Sequence, residues 1–275
     1  MKKFHVGIQL YGVRNTLAED FEGTLAKIAQ MGYEYVEFAG YHGRSAEEIK
    51  AILDKYGLKC ISVHQGLDFY NDDPDAACEF LKAFGVKYSV IPHYSEALLK
   101  GSCEWEKTRA RFNSVAEVLR RHGMVLGYHN HDFEFNKFEG KYLFDYIFDE
   151  VDAVPEIDTC WVHYAGVSPT EKIIEYTGKV EIVHLKDFVC KRLAGGPTYD
   201  LIDSEGNPIK TTREDNGFEF RPLGQGRQNF AEILEACEKA GTEYVIVEQD
   251  RTYGDMSELE AARLSREYLK NTFGI

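Results

Sequence analysis

Eight short β-rich runs recur along this chain at helix-sized intervals, and that alternation leaves few ways to fold it. The runs are 5–10, 35–38, 59–63, 88–91, 124–129, 154–157, 180–184 and 244–248. Amphipathic helical patterns lie between them. Residues 21–31 set Phe21, Leu25, Ile28 and Met31 on one face, and Gly32 stops the pattern. Ser45 and Glu48 form a capping box that opens a helix through Tyr56, closed by Gly57. Helical segments at 74–84, 105–122 and 230–240 end in the same way, at Gly85, Gly123 and Gly241. Right-handed β–α crossovers need such junctions. Eight β/α units without a break in composition predict one closed (β/α)8 barrel as a single domain over residues 1–275. A doubly wound open sheet would carry a glycine-rich turn after its first strand. Here Tyr11, Gly12, Val13 and Arg14 follow Leu10, with no G-x-G-x-x-G.

Composition narrows the partners. A net charge of −14 repels nucleic-acid phosphates and anionic membranes. No run approaches the roughly 20 apolar residues a membrane span requires, and Met1 to Val6 do not begin a leader. The six cysteines never form C-x-x-C, and several lie in apolar stretches, which reads as buried reduced thiols. A soluble cytoplasmic protein that binds neither nucleic acid nor membrane is the expectation.

One segment breaks the rhythm. From Phe188 to Gly226 no helical pattern appears, and 193–208 reads as turns with a hairpin. Loops of that length are usually functional or disordered. Following the seventh strand, this one would lie over the barrel mouth as a substrate cover.

Several runs in the second half end abruptly in His, Asp or Glu, which a hydrophobic strand has no reason of its own to do. Asp158, His184 and Glu248 supply two carboxylates and an imidazole from separate strands. That mixture suits Mn²⁺ or Mg²⁺ with open positions for substrate, with Zn²⁺ or Co²⁺ as substitutes. On strand five, His129 and His131 face the same way by alternation, and Glu134 lies just beyond. The preference of these ions for carboxylate oxygen favours Glu134 as fourth ligand and leaves His129 and His131 for acid–base work; the swap of His129 and Glu134 is the alternative. Lys186 shares the facing of His184 and would reach a substrate oxyanion, while Asp187 suits an outer acceptor or ion-pair partner. Glu248 serves as both ligand and base. Gln9, His64, Trp161 and Asp250 are the candidate substrate contacts, Trp161 as a stacking surface for a sugar ring. Gly224-Gln225-Gly226 sits too far before a helix to read as a phosphate cup.

The segments Ile8 to Arg14, Gly127 to Phe135, Glu156 to Trp161 with Ala165-Gly166, His184 to Asp187 and Val247 to Asp250 carry a resemblance. Together they resemble the sugar isomerase/epimerase family with the xylose-isomerase-like TIM barrel. Inosose dehydratases and the barrel subunits that eliminate aglycones from 3-keto-glycosides are similar in their strand-five His-x-His. The resemblance implies a divalent ion held by Asp158, His184, Glu248 and a strand-five residue. Where many members carry Glu-Asn-His on strand five, this chain has His129, a departure from the two-glutamate epimerase pattern. It further implies a small carbohydrate substrate, and assembly with copies of itself or with a second subunit. The expected activity is metal-dependent isomerisation or epimerisation of a keto-sugar or polyol through an enediolate. A lyase or dehydratase acting on a keto-inositol or 3-keto-glycoside is the second reading, and a non-catalytic sugar-binding subunit the third.

Overall fold

Each β-rich run becomes a strand, and all eight pair in parallel. They are β1 (His5–Gln9), β2 (Tyr35–Phe38), β3 (Lys59–His64), β4 (Tyr88–Ile91), β5 (Val125–His129), β6 (Val154–Asp158), β7 (Ile182–Leu185) and β8 (Tyr244–Val247). In this computed structural model, which describes residues 4–94, 100–194, 213 and 215–275, β8 returns to β1 and the sheet closes into a barrel. Neighbours in sequence are neighbours around the ring, as βα crossovers dictate.

The helices form where the apolar spacing placed them. Phe21–Met31 and Phe230–Ala240 bury one face each against the strands. Ala46–Tyr56 opens on the full capping box, Ser45 accepting from the Glu48 amide and Glu48 accepting from the Ser45 amide. Glu258–Phe273 follows β8 and locks the barrel shut: Arg266 donates to the Gly32 carbonyl, and the Tyr33 hydroxyl donates to the Ala262 carbonyl. No helix among the described residues is long and apolar enough to cross a membrane. All six cysteines are free, and Cys60, Cys78, Cys160 and Cys237 are buried.

Two apolar layers leave room for a polar one. One packs the outer strand faces against the helices. The other, Tyr35, Ile61, Tyr88, Val90, Ile182 and Ile246, is contributed by five of the barrel strands and forms a filled core rather than a pore. Toward the strands' carboxyl ends, Glu37, Ser62, His129, Glu156, Asp158 and His184 are buried. The register sets Asp158 beside His184 and His129 beside Glu156. The β2–β3 register shifts between Val36 and Glu37, and such irregularities re-aim side chains beside active sites.

The long connection after β7 is zipped at its base, where Asp187–Val189 pairs antiparallel with Glu219–Arg221. Residues 195–212, which hold most of the turn-rich stretch expected to cover the mouth, lie outside the described residues.

Candidate metal centre and active site

Four side chains from four strand ends converge. His129, Asp158, His184 and Glu248 each offer one ligand atom, and these atoms lie within 4.8 Å of one another. His184 Nδ1 is 2.9 Å from Glu248 Oε2, and His129 Nε2 is 3.6 Å from Asp158 Oδ2 and 4.0 Å from Glu248 Oε2. Asp158 splits its carboxylate between two tasks. Oδ1 caps the helix Thr159–Tyr164 by accepting from the Cys160 and Trp161 amides at 2.8 and 3.1 Å. Oδ2 is buried without a hydrogen-bond partner.

A second layer lies against the first. Glu156 Oε2 is 3.2 Å from His129 Nδ1, 3.2 Å from His184 Nε2 and 2.7 Å from His64 Nε2. Glu37 Oε1 is 2.9 Å from His184 Nε2 and 3.1 Å from His64 Nε2, and it accepts from Gln9 Nε2 at 2.6 Å. Ser62 donates to the other Glu37 oxygen. A carboxylate behind a ligating imidazole fixes its tautomer and raises its basicity. Glu156 stands behind both imidazoles of the upper group, directing His129 Nε2 and His184 Nδ1 toward Asp158 and Glu248.

Electrostatics favour a cation here. Glu37, Glu156, Asp158 and Glu248 are all buried, against one buried ammonium, Lys186. Burial opposes that ammonium's charge, but Asp250, Glu248 and Asp158 outweigh it and hold Lys186 protonated. Its Nζ is 2.7 Å from Asp250 Oδ1, 3.1 Å from Glu248 Oε2 and 3.5 Å from Asp158 Oδ2. Burial pushes Asp158 up to about 7. Burial also works against charge on His64, yet Glu37 and Glu156 bring it up to about 10. Unmatched buried carboxylates thus draw protons, and a divalent ion would replace them. The unpartnered Asp158 Oδ2, the mixed O/N donor set and the carboxylate behind the imidazoles all fit such an ion.

The expected site residues divide accordingly. Asp158, His184, Glu248, Lys186 and His129 meet, and His64 lies in the layer behind them. Glu134 does not join them. The chain turns through the short helix Phe133–Phe135, and the Glu134 carboxylate accepts from the Tyr128 hydroxyl at 2.7 Å and the His131 amide at 2.8 Å. Among the described residues it is His129, not Glu134, that groups with Asp158, His184 and Glu248. Gln9 is no substrate contact either: its amide donates to Glu37 and its oxygen accepts from the Tyr11 amide. Trp161 is no open stacking platform, because His131 stacks on it at 5.4 Å and Phe218 at 5.5 Å. Asp250 and His131 line the mouth. Asp187 accepts the amides of Phe188, Gly224, Gly226 and Gln228 at 2.9 to 3.1 Å. The turn at Gly224–Gly226 is thus an anion cradle filled by the chain's own carboxylate, and a Cβ at Gly226 would fall 2.1 Å from Asp187 Oδ1.

Glu156→Gln is expected to lower divalent-ion affinity by about 10–100-fold, the usual cost of an outer-shell partner. Isothermal titration with Mn²⁺ checks it, and unchanged affinity would refute the orienting role. Glu134 supplies a second expectation. Burial pushes its carboxyl up to about 8, against hydrogen bonds from Tyr128 and His131. The folded state therefore binds more protons than the unfolded state between an unfolded value near 4.5 and about 8, and wild-type stability drains away as pH rises through that window. Glu134→Gln removes this loss and leaves metal content intact. Melting curves of both proteins from pH 5 to 8 should diverge in the variant's favour; a constant difference rejects the assignment.

Residues 25–272 match the family model described as xylose isomerase-like TIM barrel. The chain belongs to this family. Inosose dehydratase of Geobacillus kaustophilus (strain HTA426) is 22% identical over 281 residues, spanning 89% of this chain and 85% of the relative. A sugar phosphate isomerase/epimerase from Parabacteroides distasonis ATCC 8503 superposes with a TM-score of 0.76 at 18% identity, covering 99% of this chain and 96% of its own. The IOLI protein, solved with a zinc atom, superposes with a TM-score of 0.68 at 16% identity, covering 97% of both chains. At such identities the superpositions establish the fold.

Proposed function

We propose that the chain is a divalent-metal-dependent dehydratase of a keto-polyol or keto-sugar that begins by removing the proton beside the carbonyl. One juxtaposition carries the reading: the fixed ammonium of Lys186 lies 3.1 Å from Glu248, which burial opposes but Lys186 and His184 keep ionised. A carboxylate base and a proton donor thus stand side by side. When bound by His129, Asp158, His184 and Glu248, a divalent ion would polarise a carbonyl with its neighbouring hydroxyl and acidify the adjoining C–H. Glu248 takes that proton, the C–H pair becomes a C=C bond, and the β C–O bond breaks. Lys186 protonates the departing hydroxyl, which leaves as water.

Epimerisation requires a second base on the other face of the substrate. The strand-five side offers His129 and His131, which burial depresses to about 4 and about 2. His129 is one of the four residues that would hold the ion, and His131 is stacked on Trp161, so neither stands free as a second base. The Geobacillus relative named inosose dehydratase supports elimination, and the zinc atom of the IOLI structure supports metal dependence. Isomerisation through the same single base is the second reading, favoured by the likeness to the Parabacteroides isomerase/epimerase.

The test is NMR of metal-loaded protein with keto-inositols and keto-hexoses in D₂O. Loss of water to an unsaturated ketone, abolished by chelator, is expected. Carbonyl migration or C–H exchange without water loss would replace dehydration by isomerisation. No exchange at any carbon would overturn both.

A further inference from the structure

Base and acid of the elimination read above come from neighbouring strands. β7 and β8 pair with Leu185 beside Val247, and the Glu248 amide donates to the Leu185 carbonyl at 3.1 Å. Lys186 and Glu248, each the next residue along, therefore emerge side by side, and Nζ donates to Oε2 at 3.1 Å. The ammonium is held where it is. Asp250 Oδ1 lies 2.7 Å from it and Asp158 Oδ2 3.5 Å, while the ring centres of Trp161 and Phe220 stand at 5.1 and 5.0 Å.

Such a pair serves one face of a substrate ring. Groups acting on opposite faces must hold the ring between them, and carbon contacts of ~3.5–4 Å on each side set them about 7 Å apart. A separation of 3.1 Å is a hydrogen bond and admits no ring. The far wall carries no second ammonium or carboxyl. Among the described residues, those groups line the cavity of ≈ 400 Å³ only at Lys186, Glu248 and Asp250. The opposite side is imidazole: His64 Nε2 is engaged by Glu156 at 2.7 Å and Glu37 at 3.1 Å, and His93 packs edge-on against His131 and Phe133.

We propose that water is removed syn, so that the hydrogen beside the carbonyl and the hydroxyl on the next carbon leave from the same face of the ring. This rests on the dehydratase reading and narrows its substrates to ring ketones in which those two groups are cis. Glu248 takes the proton, the C–H pair becomes the C=C bond, the C–O pair departs with the oxygen, and Lys186 protonates that oxygen. The ketone becomes an unsaturated ketone plus water. Across the 3.1 Å contact Glu248 then hands its proton to Lys186, which resets the pair.

Two probes differing at one carbon test the course. 1,5-Anhydro-D-fructose and its epimer 1,5-anhydro-D-tagatose each carry a single hydroxyl β to the ketone. It is cis to the neighbouring axial hydrogen in the first and trans to it in the second. Both are incubated with the full-length Mn²⁺-loaded chain in D₂O, and NMR follows water loss and C–H exchange separately. The cis probe should lose water about 10²–10⁴-fold faster, the contribution of a positioned acid that a trans hydroxyl does not reach. In Lys186→Met that ratio should collapse toward unity, whereas a merely structural lysine would slow both probes and leave the ratio unchanged. Keto-inositols that dehydrate are scored in the same way, by whether the hydroxyl lost was cis to the hydrogen removed. Loss of a trans hydroxyl as fast as a cis one, from any of these ketones, overturns the syn course and moves the acid to the wall of His64 and His93. Exchange without water loss from every ketone removes the dehydratase reading itself, so the two failures are told apart.

Discussion

Wild-type protein purified without chelator is expected to carry about one equivalent of divalent ion, and Asp158→Asn and Glu248→Gln only traces. Asp158 Oδ2 is buried with no hydrogen-bond partner, and Glu248 Oε2 lies within 4.0 Å of His129, His184 and Lys186 nitrogens. Removing either charge deletes a ligand and weakens the field that draws the cation, so the loss should exceed the ~10–100-fold typical of an outer-shell partner. Stability should follow. An ion at 100 times its Kd stabilises the folded state by about 2.7 kcal/mol. For a chain of this size that corresponds to roughly 5–10 °C in Tm. Chelator should therefore lower the wild-type melting temperature by that amount and leave both variants unmoved, each having already lost a buried carboxylate that the apo protein must neutralise. Elemental analysis and thermal melts with and without EDTA provide the check. Equal metal in all three preparations would remove the metal centre from the protein.

The barrel was legible because its signals are local. Strand runs and glycine stops depend on neighbours within a few residues, and most strand limits agree within a residue. The seventh run differs most: Val180 belongs to the approach, and pairing starts at Ile182. Asp158, His184 and Glu248 were legible because a polar side chain ending an apolar run is conspicuous. Glu37 and Glu156 are harder to place, since a carboxylate inside a run has no end to mark it. The signal existed for Glu156: it stands two residues before Asp158 and shares its facing. Glu134 shows the opposite limit. Ligand preference argued for its carboxylate, but a turn after β5 folds it back onto the His131 amide. Gln9 and Trp161 depended on partners far away in sequence, Glu37 and Phe218, and the filling of the Gly224–Gly226 cradle by Asp187 is equally nonlocal.

Lys186→Met should separate the role of the ammonium from that of the proposed divalent ion. Lys186 is 1% exposed, and it ties together Asp158, Glu248 and Asp250. Breaking a buried ion pair from one side typically costs 3–5 kcal/mol, because the other charge stays behind; that is the rough loss expected for the metal-free variant. Metal affinity should move the other way. The ammonium competes for the same Asp158 and Glu248 oxygens, so its removal leaves them to the ion and tightens binding. Turnover should nonetheless fall by about 10²–10⁴-fold, the range for loss of a positioned proton donor. Chemical denaturation of apo protein, Mn²⁺ titration and product formation in D₂O read the three effects independently. A variant that binds metal more weakly than wild type would mean that Lys186 organises the ligands rather than competing with the ion. A variant with full turnover would mean that the departing oxygen takes its proton from another group, leaving Asp250, whose carboxyl burial raises above its ordinary range, as the next donor to replace.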